Sequence, residues 1–490
     1  MHLALILAIV AAYAIAEYAP HEPLPREGVW HALGALAMIA AVAAIASLTS
    51  IIAARRIRRD SDDSERLIAR FEGWKKLHVV AWLFGAAIVL WVCHWPQLVR
   101  YQWHLESWVI LDDLLILAPV VLPLMWIWAW HADVDMAARA WEPGGTAPGA
   151  APTSGQRRVV PDPTSRARAR WSSACLHARH FLLLPLVPVL CLVLVHDVAD
   201  HVAPGWKTSA WSWLVYAIPL LLVGLGLPLL LRWFFLATPL AQGPLRSRLE
   251  AAASRAGVAP RDILVWNTGG RVVNAAAVGF LRPLRYVFLS DALLERLAPG
   301  EIEAVFLHEA AHLRRRHLLV RLAAMCLPVA MLMALHAALD SSWEPAAQAS
   351  ATLGIAAAEP GIGFEPGVIL MSAACVVGVL FALRLSSRVC EHDADLWAAR
   401  WMTAPQAEQV PDATGAASMI AALVQLEAEA PRSRRRATWL HPSERERVEF
   451  LRRAALQPGF ARGFSTRLRL MCGFGGATLA AALVMALLFA

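Results

Sequence analysis

Residues 300–312 (Gly-Glu-Ile-Glu-Ala-Val-Phe-Leu-His-Glu-Ala-Ala-His) contain the pattern His-Glu-x-x-His. A Pro-Gly pair and acidic residues at the start of this stretch are typical of a helix N-terminus, so we expect a helix over 300–317. Histidines four positions apart project from one helix face, which allows His308 and His312 to bind one metal ion. Glu309 lies one step round the helix, where its carboxylate can act as a general base beside the ion.

A metal site of this type needs a third protein ligand. After His312 the chain continues Leu-Arg-Arg-Arg-His and lacks the glycine of an HExxHxxGxxH motif, so we expect the third ligand elsewhere. The next acidic residues in a helical context lie in Arg-Val-Cys-Glu-His-Asp-Ala-Asp, residues 388–395. Glu391 and Asp395 are four positions apart, which lets one bind the metal while the other orients a ligand imidazole. Two neighbouring side chains are competing ligands, those of Cys390 and His392.

The composition indicates a membrane protein. Of 490 residues, 58% are hydrophobic and 17% are charged, with a mean hydropathy of +0.49, whereas soluble domains average about 25% charged residues. This excludes a disordered chain, a coiled coil and a single compact soluble domain. The seven cysteines form no CxxC pair, so no disulfide framework is indicated. Nine apolar runs are each close to the length that crosses a bilayer as a helix, at 1–17, 30–54, 77–95, 108–130, 181–198, 209–237, 318–339, 366–384 and 470–490.

The basic residues predict the orientation of these spans. Of the 45 Lys and Arg residues, 39 lie in four segments that alternate with segments holding at most one each. Positive charge resists translocation, so the rich segments are expected in the cytoplasm. The metal-binding motif lies in the third of them, which predicts a site facing the cytoplasm. The rich segments are 55–76, 131–180, 238–317 and 385–469.

The predicted fold class is a mainly α polytopic membrane protein with a small α+β zincin-type domain facing the cytoplasm. We expect a membrane region over 1–237 with six spans and a flexible Pro/Gly-rich linker at 143–169. A metallopeptidase domain follows over 238–469, interrupted by a membrane hairpin at 318–384, and residues 470–490 form a final span. Strands are predicted near Ile263–Trp266, Arg271–Val278 and Tyr286–Leu289, and further helices over 244–256 and 291–297.

Four blocks in this order resemble the M-48 membrane metallopeptidases, the gluzincin family that includes CAAX prenyl proteases and a bacterial heat-shock membrane protease. The blocks are Asn274-Ala275; His308-Glu309-x-x-His312 with His317 five residues on; Arg388-x-x-Glu391-x-x-Ala394-Asp395; and His441-Pro442-Ser443 with Arg447. The separation of the two metal-binding helices by a membrane hairpin is also similar to that family.

The resemblance implies a membrane endopeptidase with one zinc ion per chain. By role, the implied residues are the zinc ligands His308, His312 and Glu391; the general base Glu309; Asp395, which orients a ligand; His441 and Arg447, which face the oxyanion; and Asn274 and Ala275, which contact the substrate. The implied partners are a peptide or membrane-protein substrate and the lipid bilayer, in a bacterial inner membrane. Nucleic acid is not expected, because the arginine clusters lack interleaved stacking aromatics.

Two other function classes remain open at this stage. A protease-linked signal transducer predicts cleavage that depends on a bound signal. A non-catalytic membrane scaffold predicts function that survives loss of the Glu309 carboxylate. Prenyl-peptide cleavage is a further possibility within the family, although no lipid-recognition feature is evident in the sequence.

Overall fold

The computed structural model describes residues 2–17, 24, 28–59, 64–139, 163–209, 211–270, 272–332, 366–402, 413–429 and 439–489. The chain divides into two compact units, Met1–Gly224 and Leu225–Ala490, and each is described by itself. Residues 340–365, which join the two spans of the predicted membrane hairpin, and the linker residues 143–162 lie outside the described residues.

The first unit is built from helices. Their bounds are His2–Glu17, Gly28–Arg59, Ser64–Ala87, the short Trp95–Gln97, Leu111–Arg139, Pro163–His177, Leu183–Val202 and Leu214–Phe234, the last of which extends into the second unit. Residues 163–169, predicted as the end of the flexible linker, are helical instead. The helix begins at Pro163, where the ring suits the first helical position and its missing N–H is not needed.

Within the described residues, five helical stretches are long and apolar enough to cross a membrane. They are Gly28–Arg59, Arg66–Val92, Leu111–Ala138, Arg166–Val202 and Leu214–Phe234. These stretches coincide with the second to sixth predicted spans. The count of nine spans and their orientation stay predictions, because parts of the remaining apolar runs fall outside the described residues.

Buried polar side chains in the first unit form contacts between its helical segments. Arg100 forms ion pairs with two buried aspartates, reaching Asp112 at 2.8 Å and Asp113 at 3.2 Å. The indole N–H of Trp82 donates to the backbone carbonyl of Val120 at 2.8 Å. Buried polar groups need such internal partners, because an apolar interior provides none.

A four-stranded sheet lies in the second unit. Its strands are β1 (Thr238–Pro239), β2 (Asp262–Trp266), β3 (Ala275–Val278) and β4 (Tyr286–Ser290), in the order β1-β2-β4-β3. β2 and β4 are parallel, while β3 pairs antiparallel with β4 and forms one edge. β4 is buried along its whole length, as its run of apolar residues favours. The predicted strand at 271–278 is thus shorter than expected and begins at Ala275.

Eight helices accompany the sheet in the described part of this unit. They are Pro244–Arg255, Asp291–Arg296, Pro299–Arg314, His317–Leu332, Pro366–Trp401, Ala413–Glu429, Glu444–Leu456 and Pro458–Phe489. Pro299–Arg314, here called the motif helix, is buried over most of its surface. Pro366–Trp401, here called the carboxylate helix, contributes Ala394, Ala398 and Ala399 to the same apolar core.

The motif helix ends earlier than the sequence predicts. We expected one helix over 300–317, but the helix stops at Arg314 and a second helix begins at His317. Between them, Arg316 adopts the left-handed conformation with φ of 55°, which interrupts the regular hydrogen bonding. The chain therefore changes direction immediately before His317.

Candidate metal centre

Three potential metal ligands converge where the motif helix meets the carboxylate helix. His308, His312 and Glu391 offer ligand atoms that all lie within 4.8 Å of one another. The Nε2 atoms of the two histidines are 3.3 Å apart. The Glu391 carboxylate places Oε2 3.5 Å from Nε2 of His308 and Oε1 3.7 Å from Nε2 of His312.

The spacing of these atoms fits a zinc ion. Zinc–nitrogen bonds of about 2.0–2.1 Å in tetrahedral geometry place two ligand nitrogens about 3.4 Å apart, close to the distance between the histidines. Two imidazoles and one carboxylate, with a fourth position left open, form the donor set of catalytic zinc sites. The group can therefore hold a metal ion without rearrangement of the two helices.

Asp395 and Arg447 lie behind His308. Nδ1 of His308 is 2.8 Å from Oδ1 of Asp395, whose side chain is fully buried. Arg447, from the helix Glu444–Leu456, donates from both Nε and Nη2 to this carboxylate, and its Nη2 lies 3.3 Å from Nδ1 of His308. The family resemblance implies that Arg447 faces the oxyanion. In the structure its guanidinium group lies at Nδ1 of His308, on the opposite side of the imidazole from Nε2.

A second polar chain lies behind His312. Its Nδ1 is 2.9 Å from Nδ1 of His317, and Nε2 of His317 is 3.0 Å from Oδ2 of Asp393. Arg315 completes the chain by donating to both oxygens of Asp393, from Nε at 2.8 Å and from Nη2 at 3.1 Å. His317 and Asp393 are 2% and 3% exposed, so these contacts are shielded from water.

Glu309 points towards the edge of the sheet. Its Oε2 accepts a hydrogen bond from the backbone N–H of Ala277 in β3, at 2.9 Å. Asn274 and Ala275 lie at the start of the same strand, where the side chain of Asn274 accepts a hydrogen bond from the N–H of Ala275. The predicted general base and the predicted substrate-contacting strand are thus neighbours.

An imidazole and a guanidinium group approach Glu391. Nδ1 of His441, whose side chain is 55% exposed, lies 3.3 Å from Oε1 of Glu391. Arg321, from the helix His317–Leu332, donates to the same oxygen from Nη2 at 3.1 Å. His441 therefore combines solvent access with proximity to the candidate metal ligands.

The two competing ligands do not belong to the converging group within the described residues. The ring of His392 lies against Phe450, with the ring centroids 4.4 Å apart. Cys390 is buried, and burial raises the pKa of its thiol to about 12, which disfavours the thiolate that metals bind. The geometry thus favours Glu391 over either neighbour.

Burial and charge act differently on the members of the site. Burial acts to lower the pKa of His308, but the carboxylates of Asp395 and Glu391 outweigh it and raise that pKa to about 9. Although burial alone would raise the pKa of Glu391, its contacts with the neighbouring histidines lower it. Burial lowers the pKa of His312 well below 6.5, which keeps its imidazole neutral, and raises the pKa of Glu309 above 4.5.

Asp393 and Arg321 are among the residues at the site that were not predicted from the sequence. Asp393 is two positions from Glu391, so helical periodicity places it on another face, and nothing in the sequence pairs it with His317. Arg321 carries a usable signal, because a charged residue in an apolar run indicates a functional or paired position.

The comparisons with known proteins agree with the motifs. The family model described as Peptidase family M48 matches residues 239–455, which include every metal-site residue described above. Among solved structures, the crystal structure of Ste24p from S. mikatae is similar, with 15% sequence identity and a TM-score of 0.33, over 88% of this chain and 100% of that one. No curated protein sequence matches the chain significantly. The family match thus relates residues 239–455 to the family that the sequence motifs resemble, the M48 metallopeptidases.

Proposed function

We propose that the protein is a zinc-dependent integral-membrane metalloendopeptidase that hydrolyses peptide bonds of membrane-associated or misfolded proteins. The observation that carries the proposal is the 3.3 Å separation of the His308 and His312 Nε2 atoms, with Glu391 completing the donor set. His308, His312 and Glu391 would hold one zinc ion per chain. When bound, zinc polarises a carbonyl group and makes water nucleophilic at neutral pH.

Glu309 is the proposed general base. It follows the first ligand directly on the motif helix, and burial raises the pKa of its carboxyl group. A carboxylate with a raised pKa accepts a proton from the attacking water and then releases it to the leaving amine. The hydrogen bond from Ala277 holds this carboxylate in one orientation while it does so.

We assign the two remaining predicted catalytic residues to different tasks. His441 lies at the exposed side of Glu391, where its ring N–H can donate to the developing oxyanion. Arg447 positions His308 through Asp395, because two of its nitrogens are occupied by that carboxylate. Its role is therefore orientation of a ligand rather than contact with substrate.

An extended substrate would pair with the edge strand β3. In the antiparallel pair, the N–H of Ser290 bonds to the carbonyl of Asn274, so the peptide groups of Ala275 and Ala277 point away from β4. A peptide added to this edge would pass Asn274 and Ala275 and bring a carbonyl towards Glu309. Backbone pairing recognises extended conformation rather than particular side chains, which suits unfolded segments of many proteins.

The orientation of the protein follows from its basic residues. We propose about nine spans in a bacterial inner membrane with the site on the cytoplasmic side, because 39 of the 45 Lys and Arg residues lie in four alternating segments. The five described membrane-crossing candidates agree with five of these spans. Substrates would then reach the site from the bilayer or from the cytoplasm.

Metal content and turnover on the same samples test the proposal. The full-length chain is purified in detergent, reconstituted with zinc and assayed on casein, beside Glu391→Ala, Glu309→Gln and the control His392→Ala. We expect one zinc per chain in wild type, loss of zinc in Glu391→Ala, and retained zinc without turnover in Glu309→Gln. His392→Ala should keep its zinc, because its ring lies outside the ligand group.

Other outcomes select among the alternatives. Wild type that holds no zinc after reconstitution would rule out the peptidase function. Full zinc and activity in Glu391→Ala would rule out the ligand set. Zinc binding without turnover in wild type would favour the scaffold, and turnover only after addition of a signal would favour the transducer.

A further inference from the structure

The two ligand histidines are supported in parallel ways. Behind His308, the imidazole Nδ1 meets Asp395, which Arg447 holds. Behind His312, the imidazole Nδ1 meets His317, which is followed by Asp393 and Arg315. Each ligand thus leads to one buried carboxylate and one arginine, but the second path contains an additional imidazole.

The interruption of the motif helix brings His317 to His312. In a continuous helix, a residue five positions on lies about 140° round the axis, so the two rings would point apart. The left-handed conformation of Arg316 redirects the chain, and the ring centroids of His312 and His317 lie 4.8 Å apart with planes at 77°. The turn therefore creates a contact that the sequence spacing alone does not allow.

When His312 binds a metal through Nε2, only one arrangement of protons gives every hydrogen bond from His312 through His317 to Asp393 one donor and one acceptor. His312 then carries its proton on Nδ1 and donates it to Nδ1 of His317, which must be unprotonated to accept. His317 consequently carries its proton on Nε2 and donates it to Oδ2 of Asp393. Arg315 donates to both oxygens of Asp393, so the carboxylate can only accept.

We propose that Asp393, acting through His317, is a positioning residue that fixes the tautomer and ring orientation of the metal ligand His312. The inference rests on the proposed function, because it assigns the residues that support the same metal site. Hydrogen-bond partners behind a ligating histidine typically change metal affinity by about 10–100-fold when removed. Asp393 therefore contributes to metal binding although it cannot reach the ion itself.

Metal affinity tests this role without relying on turnover. Asp393→Asn introduces an amide that can donate as well as accept, so the tautomer of His317 is no longer fixed. His317→Gln interrupts the hydrogen-bonded path from His312 to Asp393 but leaves the Asp393–Arg315 pair intact. This variant therefore tests the path even if Asp393→Asn lowers folding stability. Full-length wild type, both single variants and the double variant are titrated with Co²⁺ against a competing chelator, and the visible absorption of bound Co²⁺ is recorded.

A matched control lies on the motif helix itself. Like Asp393, Glu303 carries a buried carboxylate that is paired with arginine, in this case with Arg248 and Arg255. Among the described contacts, none joins Glu303 to His308 or His312. Glu303→Gln should lower the midpoint of thermal unfolding while leaving Co²⁺ affinity and absorption unchanged. If removal of any buried charge weakened metal binding, Glu303→Gln and Asp393→Asn would lower Co²⁺ affinity alike. That result would overturn the specific role of Asp393.

The expected result is a 10–100-fold loss of Co²⁺ affinity in each single variant, with an altered Co²⁺ absorption band. The double variant should bind no more weakly than the weaker single variant, because both substitutions break one chain. Affinities within about twofold of wild type and unchanged spectra would overturn the inference. If the variants keep wild-type affinity while the wild-type protein binds zinc and cleaves casein, the role of Asp393 is overturned and the proposed function stands. If the wild-type protein binds neither zinc nor Co²⁺, the role of Asp393 and the proposed function are both overturned.

Discussion

The carboxylate of Glu309 is hydrogen bonded to the backbone N–H of Ala277, with 2.9 Å between Oε2 and the nitrogen. This bond connects the motif helix to the edge strand β3, where a peptide substrate would be added. The proposed base and the proposed peptide-binding edge therefore share one contact.

Ala277→Pro tests the importance of this contact for turnover. Proline lacks the N–H, and because that N–H points away from β4, its loss leaves the strand pairing intact. We expect kcat to fall by about tenfold, a fraction of the 10²–10⁴-fold that a general base contributes, with zinc content unchanged. Ala277→Ser retains the N–H and should keep wild-type kcat. Equal kcat values for the proline and serine variants would contradict the contact.

Arg447→Ala should reduce folding stability. The carboxylate of Asp395 is fully buried, and among the described residues its close charged or ring partners are Arg447 and the imidazole of His308, so loss of Arg447 leaves it with His308. Removing one member of a buried ion pair costs about 3–5 kcal/mol, so the metal-free variant should unfold at a clearly lower temperature. Replacing both partners in Arg447→Met with Asp395→Asn should recover most of this loss. Single and double variants with the same unfolding midpoint would show that no buried charge was left unpaired.

Arg316→Gly should stabilise the protein. Arg316 adopts a φ of 55°, a conformation that disfavours residues with a Cβ by about 1–2 kcal/mol and that glycine adopts freely. After the greater chain entropy of glycine is subtracted, a gain of about 0.5–1 kcal/mol in unfolding free energy remains. Arg316→Ala removes the same charge but keeps the unfavourable conformation, and should stay near wild type. Chemical denaturation of the three proteins measures the difference, and a glycine variant less stable than the alanine variant would contradict it.

Asp291 should contribute stability that depends on pH. Its carboxylate accepts hydrogen bonds from the hydroxyl of Thr268 and from the backbone N–H groups of Gly270, Thr268 and Ala292. Burial acts to raise the pKa of this carboxyl group, but these hydrogen bonds outweigh it and lower the pKa below 3.8. Because the folded-state pKa is depressed, the contribution is complete above the ordinary aspartate pKa and disappears as pH falls through the folded-state value. Asp291→Asn should therefore be about 1–3 kcal/mol less stable than wild type at neutral pH. The unfolding free energies of wild type and Asp291→Asn, measured as a function of pH, should converge in acid. A difference in unfolding free energy that stays constant at all pH values would show that it does not come from the ionised Asp291 carboxylate.

Much of the metal site could be predicted from local spacing. His308, Glu309 and His312 lie within five residues, so the geometry of one helical turn alone brings both imidazoles to one face. Glu391 and Asp395 follow the same rule on a second helix. The family resemblance then related the two helices to each other, and the family match over residues 239–455 agrees with that assignment.

The sequence by itself also determined which parts of the chain are apolar and where the basic residues lie, because these depend on composition along the chain and not on folding. Only the tertiary structure decided which distant groups meet. The contact of Ala277 with Glu309 requires the sheet to pack against the motif helix. The path from His312 to Asp393 requires the left-handed turn at Arg316, and a single backbone angle of this kind leaves no periodic signal in the sequence.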